Sequence, residues 1–228
     1  MFDRIAPRYD LLNRLFSFGC DVGWRRRVAE RLPSDKPLDL LDLAAGTADV
    51  MISLCRRRPN IGSAIGLDLA LDMLRLGNRK LVAADLDSRT ALAVGDAAGM
   101  PFASNSFDYV TIAFGIRNFD NIDASLSEIR RILRPGGKLL ILEFSLPSNR
   151  IIRAMHLGYL RHVIPALGGL ISGDGAAYRH LNTSIERFPY GEAFCELLRR
   201  AGFNSVTGQP LTFGVATLYE ATAGGNSA

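Results

Sequence analysis

Five short apolar segments, separated by longer segments with helical periodicity, constrain the fold of this chain more than any other feature. In chain order the apolar segments are LDLLDLA, SAIGLDL, ALAVGD, DYVTIAFG and KLLILEFS. Between them, apolar residues recur every three or four positions, as at Leu126, Ile129 and Leu133. The sequence Arg134-Pro135-Gly136-Gly137 is a helix stop. This alternation predicts an α/β fold, with a mostly parallel, doubly wound sheet and helices on both faces.

The two ends of the chain depart from this alternation. We expect one domain over residues 1–228, which begins with an N-terminal helical cover over residues 1–34 that is broken around Ser17 to Gly19. Residues 147–189 are long for a connection, so we expect a helical insertion after strand five that covers a substrate. Glu192 to Ala201 is predicted to be a helix. Two strands within residues 206–221, joined around residues 209–212, close the fold.

Composition excludes several functional classes. The chain has 228 residues, 48% hydrophobic and 22% charged, which is typical of a folded globular protein. Its net charge of +4 is spread without dense basic blocks, so no nucleic-acid partner is expected. Cys20, Cys55 and Cys195 lie far apart, which argues against disulfides and a zinc site, and no metal is expected. The N-terminus lacks the apolar core of a secretory signal, so we expect a cytoplasmic protein.

The first apolar segment runs into a turn of small residues. In LDLLDLAAGTADV, Asp42 precedes Ala44-Ala45-Gly46-Thr47-Ala48-Asp49. The turn fails the G-x-G-x-x-G pattern of dinucleotide sites and lacks the lysine of a P-loop. A pyrophosphate ligand is therefore disfavoured.

A nucleoside without phosphate needs only small residues and acidic groups at neighbouring strand ends. Asp68 ends the second strand, about 20 residues after Gly46, where it can receive both ribose hydroxyls. Asp96-Ala97 ends the third strand, where a carboxylate can accept a hydrogen bond from an adenine amine. The alternative is that these acidic residues only cap the following helices.

The turn resembles the D-x-G-x-G-x-G loop of the Rossmann-like S-adenosylmethionine-dependent methyltransferases. Ala44 and Ala48 replace the outer two glycines, and the site survives this change if neither position needs positive φ. Four longer segments are similar to diagnostic segments of the quinone C-methyltransferases, which methylate demethylmenaquinone and the corresponding ubiquinone precursor. They are YDLLNRLFSFGCDVGW, FGIRNFDN, RILRPGGKLLILEFSLP and YRHLNTSIERFP. Asp21, in place of a usual histidine, and Ala113, in place of a frequent serine, depart from the family pattern.

The resemblance implies S-adenosyl-L-methionine as cofactor and S-adenosyl-L-homocysteine as its product. It implies a catalytic role for Arg117 and Asn118 beyond the fourth strand, and candidate substrate contacts at Tyr9, His162 and Tyr178. The implied cofactor-binding residues are Asp42, Gly46, Thr47, Asp68, Asp96, Ala97 and Ala113. The implied reaction is methylation of a ring carbon of a reduced polyprenyl quinone precursor, with demethylmenaquinol to menaquinol preferred. The alternatives are C-methylation of the ubiquinone-precursor benzoquinol and a non-catalytic regulator that binds a nucleoside or lipid.

A polyprenyl quinol is a membrane lipid, and one segment has the pattern of a membrane-surface helix. Residues 150–171 are interrupted by charges and Pro165, so they do not form a span. Apolar residues recur at helical spacing beside Arg150, Arg153 and Arg161, which predicts peripheral contact with the inner face of the membrane. The stripe is Ile152, Met155, Tyr159, Val163, Leu167 and Leu170. The alternative is that it packs over the pocket as core.

Overall fold

Seven strands of the described residues form one sheet. The structure is a computed structural model that describes residue 10, residues 13–172 and residues 175–224. The side chains of residues 167, 170 and 171–180 are not described. The strands are β1 Leu38–Leu43, β2 Ile61–Asp68, β3 Thr90–Val94, β4 Phe107–Ala113, β5 Leu133–Phe144, β6 Phe203–Leu211 and β7 Ala216–Ala223. Their order in the sheet is β3-β2-β1-β4-β5-β7-β6. β1 to β5 are parallel, and β7 is antiparallel to both of its neighbours.

Helices cover both faces of this sheet. They are α1 Cys20–Glu30, α2 Asp49–Arg57, α3 Leu71–Ala83, α4 Ile122–Ile132, α5 Arg150–Gly158, α6 Ile164–Ser172, α7 Gly175–Arg187 and α8 Glu192–Arg200. One core contains residues of α4 and α8, such as Leu126 and Leu198, and a second contains residues of α1 and α2, such as Trp24 and Leu54. The predicted mostly parallel, doubly wound sheet is confirmed.

Strand order places the ligand crevice. β1 pairs with β2 on one side and with β4 on the other, so the chain reverses its direction of progress across the sheet between these strands. In open parallel sheets, ligands bind beyond the carboxyl ends of the strands at this point. The turn after β1 and the residues after β4 therefore face one crevice.

The closing hairpin differs from its prediction. β6 begins at Phe203 and runs through Pro210, and the turn is at Thr212–Gly214, later than the predicted residues 209–212. Pro210 did not end the strand because β6 is an edge strand, where a missing N–H costs no ladder hydrogen bond. The turn holds three successive residues at positive φ, Thr212 at 44°, Phe213 at 58° and Gly214 at 89°.

The segment after β5 is helical, as predicted. Between α5 and α6, Tyr159–Val163 form a π-helical turn, in which the Ile164 N–H donates to the Tyr159 carbonyl. Pro165, the next residue, has no N–H and cannot donate the backbone hydrogen bond of a regular α-helix. The wider π-helical turn lies directly before the position of that missing bond. The buried side chains of Leu146, Leu160, Ile164 and Ile185 form a small core beneath these helices.

Candidate functional site

A cleft opens at the carboxyl ends of β1 to β4. The structure brings six of the predicted site residues to its wall, namely Gly46, Asp68, Asp96, Ala97, Ala113 and Asn118. The wall also contains Phe114 and Gly115, which follow β4 directly. Residues from four separate strand ends therefore meet in one crevice, as the parallel topology requires.

The two acidic residues of the cleft already accept backbone hydrogen bonds. Asp68 Oδ2 accepts from the Gly46 N–H and Oδ1 from the Ala70 N–H, both at 2.8 Å. Asp96 Oδ1 accepts from the Ala98 N–H at 2.9 Å. These hydrogen bonds hold the backbone around the two strand ends, and neither carboxylate caps a helix: α3 begins without a side-chain cap, and a turn follows Asp96. A carboxylate oxygen accepts more than one hydrogen bond, so these backbone contacts are compatible with ligand binding.

The turn after β1 is left-handed at three positions. Ala44, Gly46 and Ala48 have φ of 53°, 53° and 61°. The condition under which alanine would be harmless at residues 44 and 48 is therefore not met. A left-handed alanine costs about 1–2 kcal/mol relative to its right-handed conformation. The turn forms in spite of this strain.

A close contact between Ala44 and Gly115 leads to the first prediction. A Cβ added at Gly115 would lie 2.3 Å from the Ala44 Cβ, although φ of −114° at residue 115 suits any residue. Gly115→Ala is expected to cost about 1–3 kcal/mol of folding free energy through overpacking. Ala44→Gly removes the clashing methyl, so the double variant should recover most of that loss. Urea denaturation of the two single variants and the double variant measures this coupling, and simple additivity would contradict it.

Asp42 lies beneath the cleft and is not part of its wall. Its side chain is buried on β1, and Oδ1 accepts a 2.6 Å hydrogen bond from the Thr111 hydroxyl on β4. Burial, with a smaller contribution from the nearby charge of Asp68, raises the pKa of Asp42 to about 7, while the Thr111 hydrogen bond opposes the shift. Asp42 therefore ties β1 to β4 under the turn, and a direct cofactor contact from Asp42 stays a prediction.

The raised pKa of Asp42 predicts a pH dependence of stability. Between the ordinary value of 3.8 and about 7, the folded state keeps a proton that the unfolded state releases. Stability is therefore lost as pH rises through this window. The asparagine of Asp42→Asn cannot titrate. Between pH 5 and pH 7, the free energy of unfolding of wild type should therefore fall by about 2–3 kcal/mol relative to that of the variant. Urea denaturation at several pH values measures this difference; parallel curves for the two proteins would refute it.

Thr47 lies outside the cleft wall. Its hydroxyl donates to Asp10 Oδ1 at 2.6 Å and accepts from Lys80 Nζ at 3.1 Å. Lys80 also pairs with Asp10 and Asp49. The hydroxyl thus connects the N-terminal segment to the turn, and a direct cofactor contact from Thr47 stays a prediction.

Asp21, which departs from the family pattern, has a structural explanation. It is buried, pairs with Arg25 on the next turn of α1 and accepts from the Ser17 hydroxyl at 3.0 Å. Arg25 in turn pairs with Asp49 at the start of α2. Through Arg25, Asp21 therefore connects α1 to the start of α2, directly after the turn that follows β1.

Arg117 lies in a buried ion pair. Its Nη1 donates to Glu143 Oε1 and to the Phe114 carbonyl oxygen, both at 2.6 Å, and its Nε donates to the Ser184 hydroxyl at 3.3 Å. The side chain is 5% exposed and is not part of the cleft wall. The charge of Arg117 therefore has a structural partner, Glu143, at the end of the neighbouring strand. A catalytic role stays a prediction.

Glu143 is the functional candidate that sequence reasoning missed. It ends the apolar run KLLILE, where an acidic residue at a strand end was the same signal that marked Asp68 and Asp96. Its side chain is 1% exposed, and Oε2 has no partner among the described residues. Burial raises the pKa of Glu143, and Arg117 opposes that shift.

Only one of the three candidate substrate contacts has a described side chain. Tyr9 and the side chain of Tyr178 lie outside the described residues. His162 is exposed in the π-helical turn, and His156, on α5, has a buried Nε2 without a partner in the described part of the chain. An inward histidine therefore exists in the insertion, at a different position from the predicted one.

The residues of the cleft fit a nucleoside-bearing cofactor. Asp68 and Asp96 supply carboxylates for ribose hydroxyls and an adenine amine at adjacent strand ends. Glycine and alanine at residues 46, 97, 113 and 115 keep side-chain bulk out of the crevice. The chemistry and spacing of this donor set agree with S-adenosylmethionine.

Solved structures with the same architecture are methyltransferases. A S-adenosylmethionine-dependent methyltransferase from Aquifex aeolicus is 14% identical and superposes with a TM-score of 0.62 over 87% of this chain and 89% of its own. An O-methyltransferase family protein from Burkholderia thailandensis is 18% identical and superposes with a TM-score of 0.68, over 96% of this chain and 60% of its own. At these identities the likeness establishes the fold.

Sequence similarity goes further. A demethylmenaquinone methyltransferase from Thermus thermophilus is 46% identical, over 96% of this chain and 98% of its own. The ubiquinone/menaquinone biosynthesis C-methyltransferase UbiE of Syntrophotalea carbinolica is 44% identical, over 96% of this chain and 91% of its own. The model of the ubiE/COQ5 methyltransferase family matches residues 1–223. The chain therefore belongs to the ubiE/COQ5 methyltransferase family and uses S-adenosylmethionine as its cofactor.

Proposed function

We propose that this protein methylates a ring carbon of a reduced polyprenyl quinone precursor, converting demethylmenaquinol to menaquinol. The observation that carries this proposal is near-full-length similarity to a relative named demethylmenaquinone methyltransferase, at 46% identity. The cleft supports it, because its carboxylates and small residues suit the cofactor and Asn118 lies at its rim next to Arg117.

The cofactor supplies an electrophilic methyl group on a sulfonium sulfur. Asp68 and Asp96 would hold its ribose and adenine, and the turn around Gly46 would let the backbone approach the amino-acid part. Asp42 supports that turn from below. Small residues at Ala113 and Gly115 leave room beside Asn118, where an acceptor ring can enter.

The acceptor carbon becomes nucleophilic when a neighbouring ring hydroxyl ionises. A phenol with a pKa of about 10 is only about a thousandth ionised at pH 7, and each unit by which its pKa falls lowers the barrier by about 1.4 kcal/mol. Because Glu143 balances the charge of Arg117, a hydrogen bond from the guanidinium would stabilise the phenolate more than its net charge does. Asn118 would orient the hydroxyl or an adjacent water. The ring proton is lost after the methyl group arrives.

A methyl-transfer assay tests this function. Purified protein with methyl-labelled S-adenosylmethionine is expected to label demethylmenaquinol, with menaquinol and S-adenosylhomocysteine as products. Preferential labelling of the ubiquinone-precursor benzoquinol would replace the substrate and keep the reaction. Binding of the cofactor without transfer to either quinol would favour the non-catalytic alternative. Mass analysis of quinones in cells that lack the gene shows which unmethylated intermediate accumulates.

We further propose that the insertion contacts the membrane surface. Among the described residues, no helix is long and apolar enough to cross a bilayer. On α5, Ile151 is 73% exposed and Met155 is 72% exposed, one turn apart, next to Arg150. Of the predicted stripe, Met155 and Val163 are exposed, Ile152 and Tyr159 are partly buried, and the side chains of Leu167 and Leu170 lie outside the described residues. The exposed apolar residue at this point of α5 is therefore Ile151, whereas the periodicity predicted Ile152.

Liposome flotation tests this contact. Wild type should float with vesicles that contain anionic lipid, because apolar side chains insert while arginine binds headgroups. Ile151→Ser with Met155→Ser should lose flotation, whereas Val82→Ser, which removes a 52% exposed apolar side chain from α3, should not. Absence of wild-type binding to anionic and neutral vesicles alike would leave the stripe as cover for the pocket.

A further inference from the structure

We infer that Glu143 is a positioning residue for methyl transfer, because it fixes the Arg117 guanidinium so that Nη2 is left to bind an oxygen of the acceptor ring. The inference rests on the proposed function and deepens the role proposed for Arg117. The proposed catalytic residues, Arg117 and Asn118, follow β4, and Glu143 would support them from the end of the neighbouring strand β5.

The hydrogen bonds of Arg117 occupy two of its three nitrogens. Nη1 is held twice, by Glu143 Oε1 and by the Phe114 carbonyl oxygen, and Nε is held by the Ser184 hydroxyl of α7. Nη2 has no hydrogen-bond partner in the part of the chain that the structure describes. Because a guanidinium is planar, two fixed nitrogens determine the direction of the third.

The pairing with Glu143 is one-sided. Arginine and carboxylate frequently form two parallel hydrogen bonds. Here Glu143 uses Oε1 alone, and the Phe144 N–H donates to the same oxygen at 2.8 Å, while Oε2 stays without a partner among the described residues. This geometry anchors one edge of the guanidinium and leaves the other edge for a ligand.

The position of the pair connects it to the cleft. Leu142, which precedes Glu143, pairs with Ala113 of the cleft wall across β4 and β5. The Arg117 guanidinium lies 5.3 Å from the centre of the Phe144 ring, and that ring lies 4.4 Å from the ring of Phe114 in the cleft wall. Arg117 also reaches Ser184 of the insertion. The pair therefore lies at the boundary between the cofactor cleft and the helices expected to cover the acceptor.

The first test compares Glu143→Asp with Glu143→Gln. Aspartate keeps the charge but withdraws the carboxylate by one methylene, so Arg117 must shift; glutamine keeps the length and loses the charge. Both variants should lower kcat for the quinol about tenfold or more, because a misplacement of about 1 Å can have effects of this size. Cofactor affinity by calorimetry should stay within about threefold of wild type. Glu220→Gln is the matched control, since Glu220 on β7 pairs with Lys138 on β5 at 2.5 Å and neither residue is part of the cleft wall, so kcat should not change.

The second test is chemical rescue. Guanidinium ions at tens of millimolar should restore part of the kcat of Arg117→Ala, because Glu143 and the Phe114 carbonyl form a preformed cradle for the ion. They should restore nothing in the double variant Arg117→Ala/Glu143→Gln. Both variants must be shown to be folded by circular dichroism, so that a general loss of stability cannot account for a difference in rescue.

The outcomes separate this inference from the function on which it rests. If wild type does not methylate the quinol, the proposed function itself is wrong. Wild-type activity together with unchanged kcat in folded Glu143→Asp and Glu143→Gln overturns the positioning role while the proposed function stands. Equal rescue with and without Glu143 overturns it as well. If Glu143→Gln does not fold, Glu143→Asp decides the question, in the single variant and combined with Arg117→Ala in the rescue experiment.

Discussion

Replacing Arg117 with alanine is expected to lower kcat about a hundredfold or more, the effect of removing one positioned electrostatic group. Glu143, the Phe114 carbonyl and Ser184 hold the guanidinium. On the proposed function, we expect its contribution in the transition state. Cofactor affinity should therefore stay within a few fold, because Arg117 is not part of the cofactor cleft wall. Steady-state kinetics with the quinol and calorimetry with the cofactor measure the two effects separately.

Two further variants make this prediction sharper. Arg117→Lys keeps a charge opposite Glu143 but loses the planar fork, so it should fold and retain part of the activity. Arg134→Ala is the control, since Arg134 pairs with Asp39 and Asp108 at 2.8 and 2.6 Å outside the cleft wall. A kcat within threefold of wild type for Arg117→Ala would make Arg117 a structural ion-pair residue. Joint loss of folding and cofactor binding would have the same meaning.

Replacing Asp68 with alanine is expected to weaken cofactor binding by about 2–4 kcal/mol, because a charged acceptor of two ribose hydroxyls is lost. Alanine also removes the acceptor for the Gly46 and Ala70 N–H groups, so the turn after β1 loosens at the same time. Calorimetric titration with S-adenosylmethionine measures the change. Asp72→Ala is the control, because Asp72 is an exposed carboxylate close in the chain that is not part of the cleft wall. An affinity within threefold of wild type in a folded Asp68→Ala would disprove the ribose assignment.

The sheet and the cleft were predictable because each depends on a local pattern. Buried parallel strands appear as apolar runs, and their carboxyl ends must share one edge, so Asp68 and Asp96 could be placed together without coordinates. Helix α8, Glu192–Arg200, ends within one residue of its predicted limit because Gly202 stops it at a φ of 87°. The family assignment, the fold and the cofactor are confirmed.

Pairing between distant residues was not predictable in the same way. Nothing in FGIRN indicates that Arg117 has Glu143 as a partner, because that contact exists only once β4 and β5 are neighbours. The positive φ of Ala44 and Ala48 depends on the path of the turn, and alanine gives no local signal for it. The error at Ile152 has a simpler cause: helical periodicity fixes a stripe to within a residue, while packing decides which side chain stays exposed.

The position of β7 has a consequence for the order of folding. This strand follows every other strand in the chain, yet it lies between β5 and β6 and pairs with both. Without β7, β5 would be an open sheet edge, because its residues from Lys138 to Phe144 pair with β7. Such edges recruit other chains, and pairing between distant segments is slow. We therefore expect chains truncated before β7 to aggregate more readily than the full-length chain.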